Sequence, residues 1–152
     1  RANDSWFVHP RDASLLRDFG SRLAQSGTPS PDRLYISRRG ASRSLPFEQE
    51  LEGLLERSGF TILAPESLAW PEQIALFRNA RTVVAPHGAG LSNLVFTEPG
   101  ARVIELTNGY HYNRCFEWLC HVAGHQYVPI GADDGIYSGA QEIAQAVLAA
   151  AH

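Results

Sequence analysis

The hydrophobic residues of this chain follow two spacings that alternate along the sequence. Short apolar runs rich in β-branched residues predict strands, and segments with an apolar residue every three or four positions predict helices. Strands that alternate with helices favour an α/β fold, in which a parallel sheet carries helices on both faces. The predicted strands lie near residues 33–37, 60–64, 82–86, 102–106 and 126–130.

The helices between these strands are also visible in the pattern. Residues 48–58 place Leu51, Leu54 and Leu55 on one side. Gly59 ends this helix, because glycine tolerates the positive φ of a helix C-terminus. The other predicted helices begin near Pro71 and cover residues 116–123 and 141–151.

A further amphipathic helix is predicted before the first strand, at residues 13–26. The Gly- and Pro-rich stretch 27–32 then indicates a linker. We therefore divide the chain into an N-terminal helix with its linker, 1–32, and an α/β domain, 33–152. The apolar face of the N-terminal helix consists of Leu15, Leu16, Phe19 and Leu23.

Composition narrows the class of protein. The chain has 152 residues, of which 44% are hydrophobic, enough for the core of one globular domain. A net charge of −3 argues against a nucleic-acid binder, which normally carries a basic face. There is no apolar run of the roughly 18 residues that a membrane span requires. The sequence contains no methionine, which indicates a fragment of a longer chain.

The cysteines and histidines give no sign of a disulfide or a metal site. Cys115 and Cys120 lie five positions apart on one predicted helix, too far apart to form a bridge. The N-terminus lacks the apolar stretch of a signal peptide, so a reducing, cytoplasmic setting is expected. His121 and His125 lack an assured third ligand and the glutamate of a zinc-protease helix. No Asp-x-Asp motif is present, so we expect no metal cofactor.

The most informative segment is TVVAPHGAGLSNLVFTEPGARVIEL, residues 82–106. It reads as a strand, a glycine loop, a short helix and a second strand. Glycines between a strand and a helix let backbone N–H groups approach an anion at the positive end of the helix. Glu105, at the tip of the second strand, is placed to accept hydrogen bonds from ribose hydroxyls. The segment therefore outlines a Rossmann-like nucleotide site.

Each candidate in this segment has a structural alternative. The glycine loop is either a phosphate cradle or a tight turn, and its histidine is either a ligand contact or a structural side chain. The residues in the first helical turn either contact a phosphate or cap the helix. Glu105 is either a ribose acceptor or a strand-end carboxylate facing water. The loop and first-turn candidates are His87, Gly88, Ala89, Gly90, Ser92 and Asn93.

An arginine cluster follows the first strand. Arg38, Arg39 and Arg43 are either a solvated loop or a diphosphate site, because the planar guanidinium fits paired oxygens.

Together, three segments resemble the catalytic domain of glycosyltransferase family 61. They are RLYISRRGASRSL at 33–45, GFTILAPESLAWPEQIALFRNARTVVAPHGAGLSNLVF at 59–96 and ARVIEL at 101–106. The specific features are the arginine-rich strand exit, the Glu-Gln pair and HGAGLxN, in that order. The family usually has Asn-Glu after the second arginine motif, where this chain has Pro46-Phe47-Glu48, so the resemblance leaves any role of the asparagine open.

The resemblance implies a fold and an activity. It implies the C-terminal, donor-binding half of a GT-B glycosyltransferase, of a type associated with bacterial capsular polysaccharide biosynthesis and with eukaryotic xylosyl- and N-acetylglucosaminyl-transfer. A nucleoside diphosphate sugar is the implied donor, a glycan the acceptor, and the acceptor-binding N-terminal domain is missing. Arg38 and Arg43 are the arginines that the resemblance favours for donor binding.

Three other functions are weaker. An NAD-type oxidoreductase needs a third Gly or Ala in its fingerprint, where this chain has Asn93. An esterase needs a G-x-S-x-G elbow, and the candidate segment ends in Ser44 instead of glycine. A non-catalytic nucleotide-binding module is the third alternative.

Overall fold

The structure is a computed structural model that describes residues 8–24, 27, 30–40, 44–107, 114–131 and 137–152. Within these residues, five strands form one sheet in which all neighbouring strands are parallel. The strands are β1 (Arg33–Ile36), β2 (Thr61–Leu63), β3 (Thr82–Pro86), β4 (Arg102–Thr107) and β5 (Gln126–Gly131). Their order across the sheet is β2-β1-β3-β4-β5. The predicted parallel α/β fold is confirmed.

Every predicted helix is present in the described part of the chain. The α-helices are α1 (Pro10–Leu23), α2 (Glu48–Arg57), α3 (Trp70–Arg78), α4 (Cys115–Ala123) and α5 (Ala140–Ala150). Gly59 follows α2 with a φ of 85°, as predicted from its position. Two 3₁₀-helices complete the helical elements, Pro65–Ser67 and the central 3₁₀-helix Ala89–Phe96.

Two hydrophobic cores lie on opposite faces of the sheet. Side chains alternate between the faces along each strand, so Leu34 and Ile36 enter one core and Tyr35 enters the other. Helices α1, α3, α4 and the central 3₁₀-helix cover the first face, while α2 and α5 cover the second. The central strands β1, β3 and β4 are therefore buried on both sides, which explains why they are nearly continuous apolar runs.

The segment after β3 forms the predicted short helix, and this helix is a 3₁₀-helix of eight residues. A 3₁₀-helix has three residues per turn, so residues three apart lie above one another. Leu91, Leu94 and Thr97 have this spacing and are all fully buried. Val95 and Phe96 beside this line are also buried, so most of the second half of the helix lies inside the domain.

Helix α1 packs against the first face through a different side from the one that its apolar residues define. Small residues, Ala13 and Gly20, face the domain. The four large apolar residues of the predicted face are 41–59% exposed, namely Leu15, Leu16, Phe19 and Leu23. Apolar spacing identifies one face of a helix, but it does not say which face a neighbouring helix can approach closely.

Among the described residues, the cysteines of α4 form no disulfide and build no metal site with the histidines near them. Neither Cys115 nor Cys120 forms a disulfide, and burial raises the pKa of Cys120 to about 12. No three His, Cys, Asp or Glu side chains in the described ranges lie together as a metal site would require. The same residues contain no helix long and apolar enough to cross a bilayer.

The contact between Gly20 and Phe96 provides a test of how α1 packs. A Cβ at Gly20 would lie 2.5 Å from Phe96 Cδ1, whereas a Cβ at Gly53 of α2 would lie 3.5 Å from its nearest neighbour, an arginine nitrogen. Both alanine variants gain about 1 kcal/mol of helix propensity. We expect Gly20→Ala to be less stable than Gly53→Ala by about 1–3 kcal/mol in urea unfolding, because overpacking displaces the ring. Equal stabilities would contradict this packing of α1.

His125 makes stability depend on pH. The side chain is buried, its Nε2 lies 3.2 Å from the Leu94 carbonyl oxygen, and its buried Nδ1 has no partner among the described residues. Burial lowers the pKa of His125 below its ordinary value of 6.5. Between these two values the unfolded chain binds more protons, so the free energy of unfolding falls as the pH falls through this window.

We expect His125→Gln to flatten this pH dependence. The single-site slope is at most about 1.4 kcal/mol per pH unit, and it should appear in urea unfolding between about pH 7 and pH 5. His121→Gln is the matched control, because His121 is exposed on α4, four residues before His125. If the slope remains in His125→Gln but disappears in His121→Gln, the pH dependence of stability comes from His121 and not from His125.

Candidate functional site

The strand order creates a crevice between the ends of β1 and β3. These strands are neighbours in the sheet. After β1 the chain continues into α2 on one face, and after β3 it continues into the central 3₁₀-helix on the other. The two loops therefore separate at the carboxyl edge of the sheet. Ligands of open α/β sheets bind at such a switch point.

Arg38 spans this crevice. Its guanidinium Nη1 donates a hydrogen bond to the carbonyl oxygen of His87. The guanidinium also lies against Gly88, where a Cβ would be 2.7 Å from Arg38 Cζ. The φ of Gly88 is 167°, an extended conformation that any residue adopts, so the effect of a side chain there would be to displace the Arg38 guanidinium. Arg38 and the HGAG loop therefore lie at the same edge of the sheet, while Arg43 lies outside the described residues.

A buried carboxylate on α2 holds the loop that carries Arg38. Glu48 is 3% exposed and accepts hydrogen bonds from the Arg38 N–H at 2.6 Å and the Leu45 N–H at 3.2 Å. The Tyr35 hydroxyl donates to the same carboxylate at 3.2 Å. Burial, and secondarily the charge of Glu48, raise the pKa of the Tyr35 hydroxyl. Glu48 thus fixes both ends of the loop between β1 and α2.

A second buried carboxylate, Glu52, lies one helical turn further along α2. It accepts a hydrogen bond from the Ser37 hydroxyl at 2.5 Å and forms an ion pair with Arg39 at 3.4 Å. The charge of Arg39 is therefore compensated within the protein. Among the described residues, no carboxylate lies within ion-pair distance of the Arg38 guanidinium.

His87 lies on the other side of the crevice, and its ring is held by contacts with Glu105 and Phe116. Nδ1 is hydrogen bonded to Glu105 Oε1, and the ring packs edge-on against Phe116 at 5.3 Å between centroids. The side chain keeps 22% of its surface exposed. Glu105 is completely buried and accepts a second hydrogen bond, at 2.5 Å, from the Tyr127 hydroxyl. The carboxylate therefore does not face water, and both of its oxygens have protein partners.

The start of the central 3₁₀-helix lies beside His87. Ala89 and Ser92 are exposed, and the Leu91 N–H bonds to the Gly88 carbonyl at 3.0 Å. A Cβ at Gly90 would lie 2.8 Å from Ile36 Cγ2, so this glycine lets the loop pack on the end of β1. The first N–H groups of a helix have no carbonyl within the helix to bind. The crevice therefore has backbone donors on its 3₁₀-helix side.

Asn93 lies at a structural junction. Its amide donates to Gln73 Oε1 at 3.0 Å. Gln73 in turn donates to the carbonyl oxygens of Pro65 and Leu68, at 2.7 and 3.0 Å. This network ties the central 3₁₀-helix to α3 and to the exit from β2. Its geometry gives Asn93 a structural partner and does not direct the amide to the crevice.

Sequence reasoning missed most of the residues that support the site. Glu52, Gln73 and Tyr127 were not candidates, and Glu48 was considered only as a substitute acid for the family motif. The two glutamates had a visible signal, because they are spaced i, i+4 and adjoin the inward Leu51 of α2. Gln73 belongs to the Glu-Gln pair of the family resemblance, whereas Tyr127 had no signal, since its partner Glu105 is distant in sequence.

Replacing Glu48 tests how the arginine loop is held. Glu48→Gln keeps one acceptor oxygen but cannot accept from the Leu45 N–H, which would leave a buried donor unpaired. We expect a loss of about 1–3 kcal/mol in the free energy of unfolding. Glu50→Gln, at an exposed position on the same helix, should change it by less than about 0.5 kcal/mol. Equal effects of the two replacements would mean that Glu48 does not hold the loop.

Comparison with known proteins identifies the family of the chain. The model of the family described as Glycosyltransferase 61 matches residues 2–104. The chain is 33% identical over 96 residues to an EGF domain-specific O-linked N-acetylglucosamine transferase of Drosophila melanogaster. The aligned region makes up 61% of this chain and 18% of that protein. It is 36% identical over 98 residues to a beta-1,2-xylosyltransferase of Oryza sativa subsp. japonica, covering 63% of this chain and 17% of that protein. The match thus spans less than a fifth of the length of these relatives. The range matched by the family model includes β1, β3 and the loops that form the crevice. The chain belongs to glycosyltransferase family 61.

Proposed function

We propose that the crevice between β1 and β3 binds the diphosphate of a nucleotide-sugar donor, and that the chain is the donor-binding half of a GT-B glycosyltransferase. The observation that carries this proposal is the position of Arg38. Its guanidinium is held at the mouth of the switch point, beside the HGAG loop, without a carboxylate partner among the described residues.

The chemistry of glycosyl transfer needs positive charge at this place. Departure of a nucleoside diphosphate develops negative charge on its oxygens, and groups already aimed at that charge lower the barrier. Arg38 supplies a cation, and the start of the central 3₁₀-helix supplies backbone N–H groups on the opposite wall. In this proposal the charge is compensated by protein groups, and no metal takes part.

His87 and Ser92 complete the proposed donor site. Nδ1 of His87 is occupied by Glu105, whereas Nε2 has no hydrogen-bond partner among the described residues. Nε2 is therefore the atom of His87 that would contact the donor. Ser92 is exposed on the first turn of the 3₁₀-helix, where its hydroxyl would reach a phosphate oxygen. Glu105 supports His87 and is not itself a ribose contact in this proposal.

The donor sugar and the acceptor follow from the family only in outline. The two relatives are named for N-acetylglucosamine transfer and for xylose transfer. We propose a nucleoside diphosphate sugar of this general class, with a glycan or polysaccharide, including capsular polysaccharide, as the acceptor. The acceptor-binding part would lie in the region of the relatives that this chain does not match.

The alternative of a dinucleotide-dependent oxidoreductase is weakened by the sheet. Dinucleotide-binding domains of that type have the strand order 3-2-1-4-5-6, whereas the order here is 2-1-3-4-5. The loop after β3 also carries the histidine and glycines, whereas the dinucleotide fingerprint follows the first strand.

Calorimetry with UDP and GDP tests the proposed site. We expect the chain to bind at least one of them, in the presence of EDTA as well as in its absence. Arg38→Ala should weaken this binding by about 1.5–3 kcal/mol, because a charge-assisted hydrogen bond to the diphosphate is lost.

Arg81→Ala is the control. Arg81 precedes β3 at the opposite edge of the sheet and pairs with Asp32 on the surface. Its removal lowers the net charge by the same amount as Arg38→Ala but should leave nucleotide affinity unchanged. Equal losses in the two variants would indicate a general charge effect, and the absence of any nucleotide binding by the wild-type chain would refute the proposal.

A further inference from the structure

A chain of hydrogen bonds links three neighbouring strands, from the carboxyl end of β3 through β4 to the start of β5. His87 directly follows β3, Glu105 lies in β4 and Tyr127 lies in β5. The His87 ring bonds to one carboxylate oxygen of Glu105, and the Tyr127 hydroxyl donates to the other at 2.5 Å. We propose that Glu105 and Tyr127 are positioning residues, which hold a proton on Nδ1 of His87 and thereby direct Nε2 into the donor crevice.

Burial makes a purely structural role for Glu105 costly. Its side chain is fully buried, and its neighbours in the strand are the apolar Ile104 and Leu106. Among the described residues no arginine forms an ion pair with it, and the chain contains no lysine. A buried carboxylate of this kind is usually no more stabilising than an apolar side chain of the same volume. Its presence is explained by what it does to His87.

The effect on His87 follows from the chemistry of imidazole. A neutral ring has one N–H, and the hydrogen bond made by one nitrogen decides which nitrogen carries it. A carboxylate accepts only, so its contact with Nδ1 keeps the proton there and leaves Nε2 open to the crevice. If both ring nitrogens carry a proton, the Nδ1–H still donates to Glu105, and the Nε2–H would donate to a phosphate oxygen.

Tyr127 acts one step further away. Its hydroxyl satisfies the second oxygen of Glu105, so that the carboxylate cannot rotate towards another donor. The edge-on contact with Phe116 restricts the ring of His87 from α4. Outer hydrogen-bond partners of this kind orient a functional histidine in many sites. This inference rests on the proposed nucleotide site for its function, but the proton position is a property of the chain alone.

Nitrogen NMR of the histidine-labelled chain measures that property directly. We expect the wild-type spectrum to show a proton on Nδ1 of His87, assigned by comparison with His87→Ala. In Glu105→Met, which replaces the acceptor with an apolar side chain of similar length, the proton should move to Nε2. Tyr127→Phe should shift the His87 signals in the same direction but less. A neutral wild-type ring with its proton on Nε2 would overturn the proposal.

Stability and binding separate a positioning role from a structural one. Glu105→Met leaves the Tyr127 hydroxyl and the His87 ring without their acceptor, so some loss of stability is expected. Below its melting temperature, the folded variant should bind UDP or GDP at least threefold more weakly than the wild type. In the His87→Ala background, Glu105→Met should cause no further loss, because its effect is transmitted through the ring. An equal loss in both backgrounds, or a strongly lowered melting temperature with unchanged affinity, would contradict the proposal.

Tyr137→Phe is the control for removing a tyrosine hydroxyl in this region. Its hydroxyl lies 2.6 Å from the carbonyl oxygens of Thr107 and Ile130 and makes no hydrogen bond to Glu105. The His87 spectrum and nucleotide affinity should match the wild type. If the wild-type chain binds neither nucleotide, the proposed function fails, and the NMR result alone still decides whether Glu105 places the proton.

Discussion

Strands β1 and β3 lie side by side, but the chain leaves them towards opposite faces of the sheet. This divergence exposes two strand ends and separates two loops that must nevertheless keep a fixed distance. Several contacts in the molecule meet that requirement. Glu48 and Glu52 hold the first loop to α2, and the packing of Gly90 on Ile36 holds the second loop to the end of β1. Arg38 then joins the two loops through the His87 carbonyl.

Buried carboxylates are the main cost of this arrangement. Glu48, Glu52 and Glu105 are each less than 7% exposed, and each accepts at least two contacts from polar groups. Burying a carboxylate stabilises a fold poorly, because the free-energy cost of removing the charge from water offsets most of the free energy gained from its hydrogen-bond partners. What such groups supply is a single geometry, since losing any partner leaves a costly unpaired atom. Their position around one crevice fits a site whose loops must be rigid before a ligand arrives.

The sequence was sufficient for the parts of the structure that depend on local pattern. The strands were predictable because a parallel sheet buried on both faces requires continuous apolar runs, and Gly59 marked the end of α2. The packing side of α1 was not, because close approach to Phe96 depends on the small Gly20 and not on the four large apolar residues. The helix type after β3 also depends on tertiary packing. The sequence did not show whether Glu105 is buried or faces water, because its two hydrogen-bond partners lie 18 and 22 positions away.

The glycines of the HGAG loop show how a motif and its physical cause can differ. The motif suggests that glycine is needed so that a phosphate can approach the backbone. In the structure, a side chain at either glycine would first meet the protein itself, the Arg38 guanidinium at Gly88 and the Ile36 methyl group at Gly90. The glycines therefore make room for the arginine and for the end of β1. Any effect of enlarging Gly88 on an anion would be transmitted by displacement of Arg38. The loop and the arginine strand exit, almost fifty residues apart in sequence, are thus one structural unit.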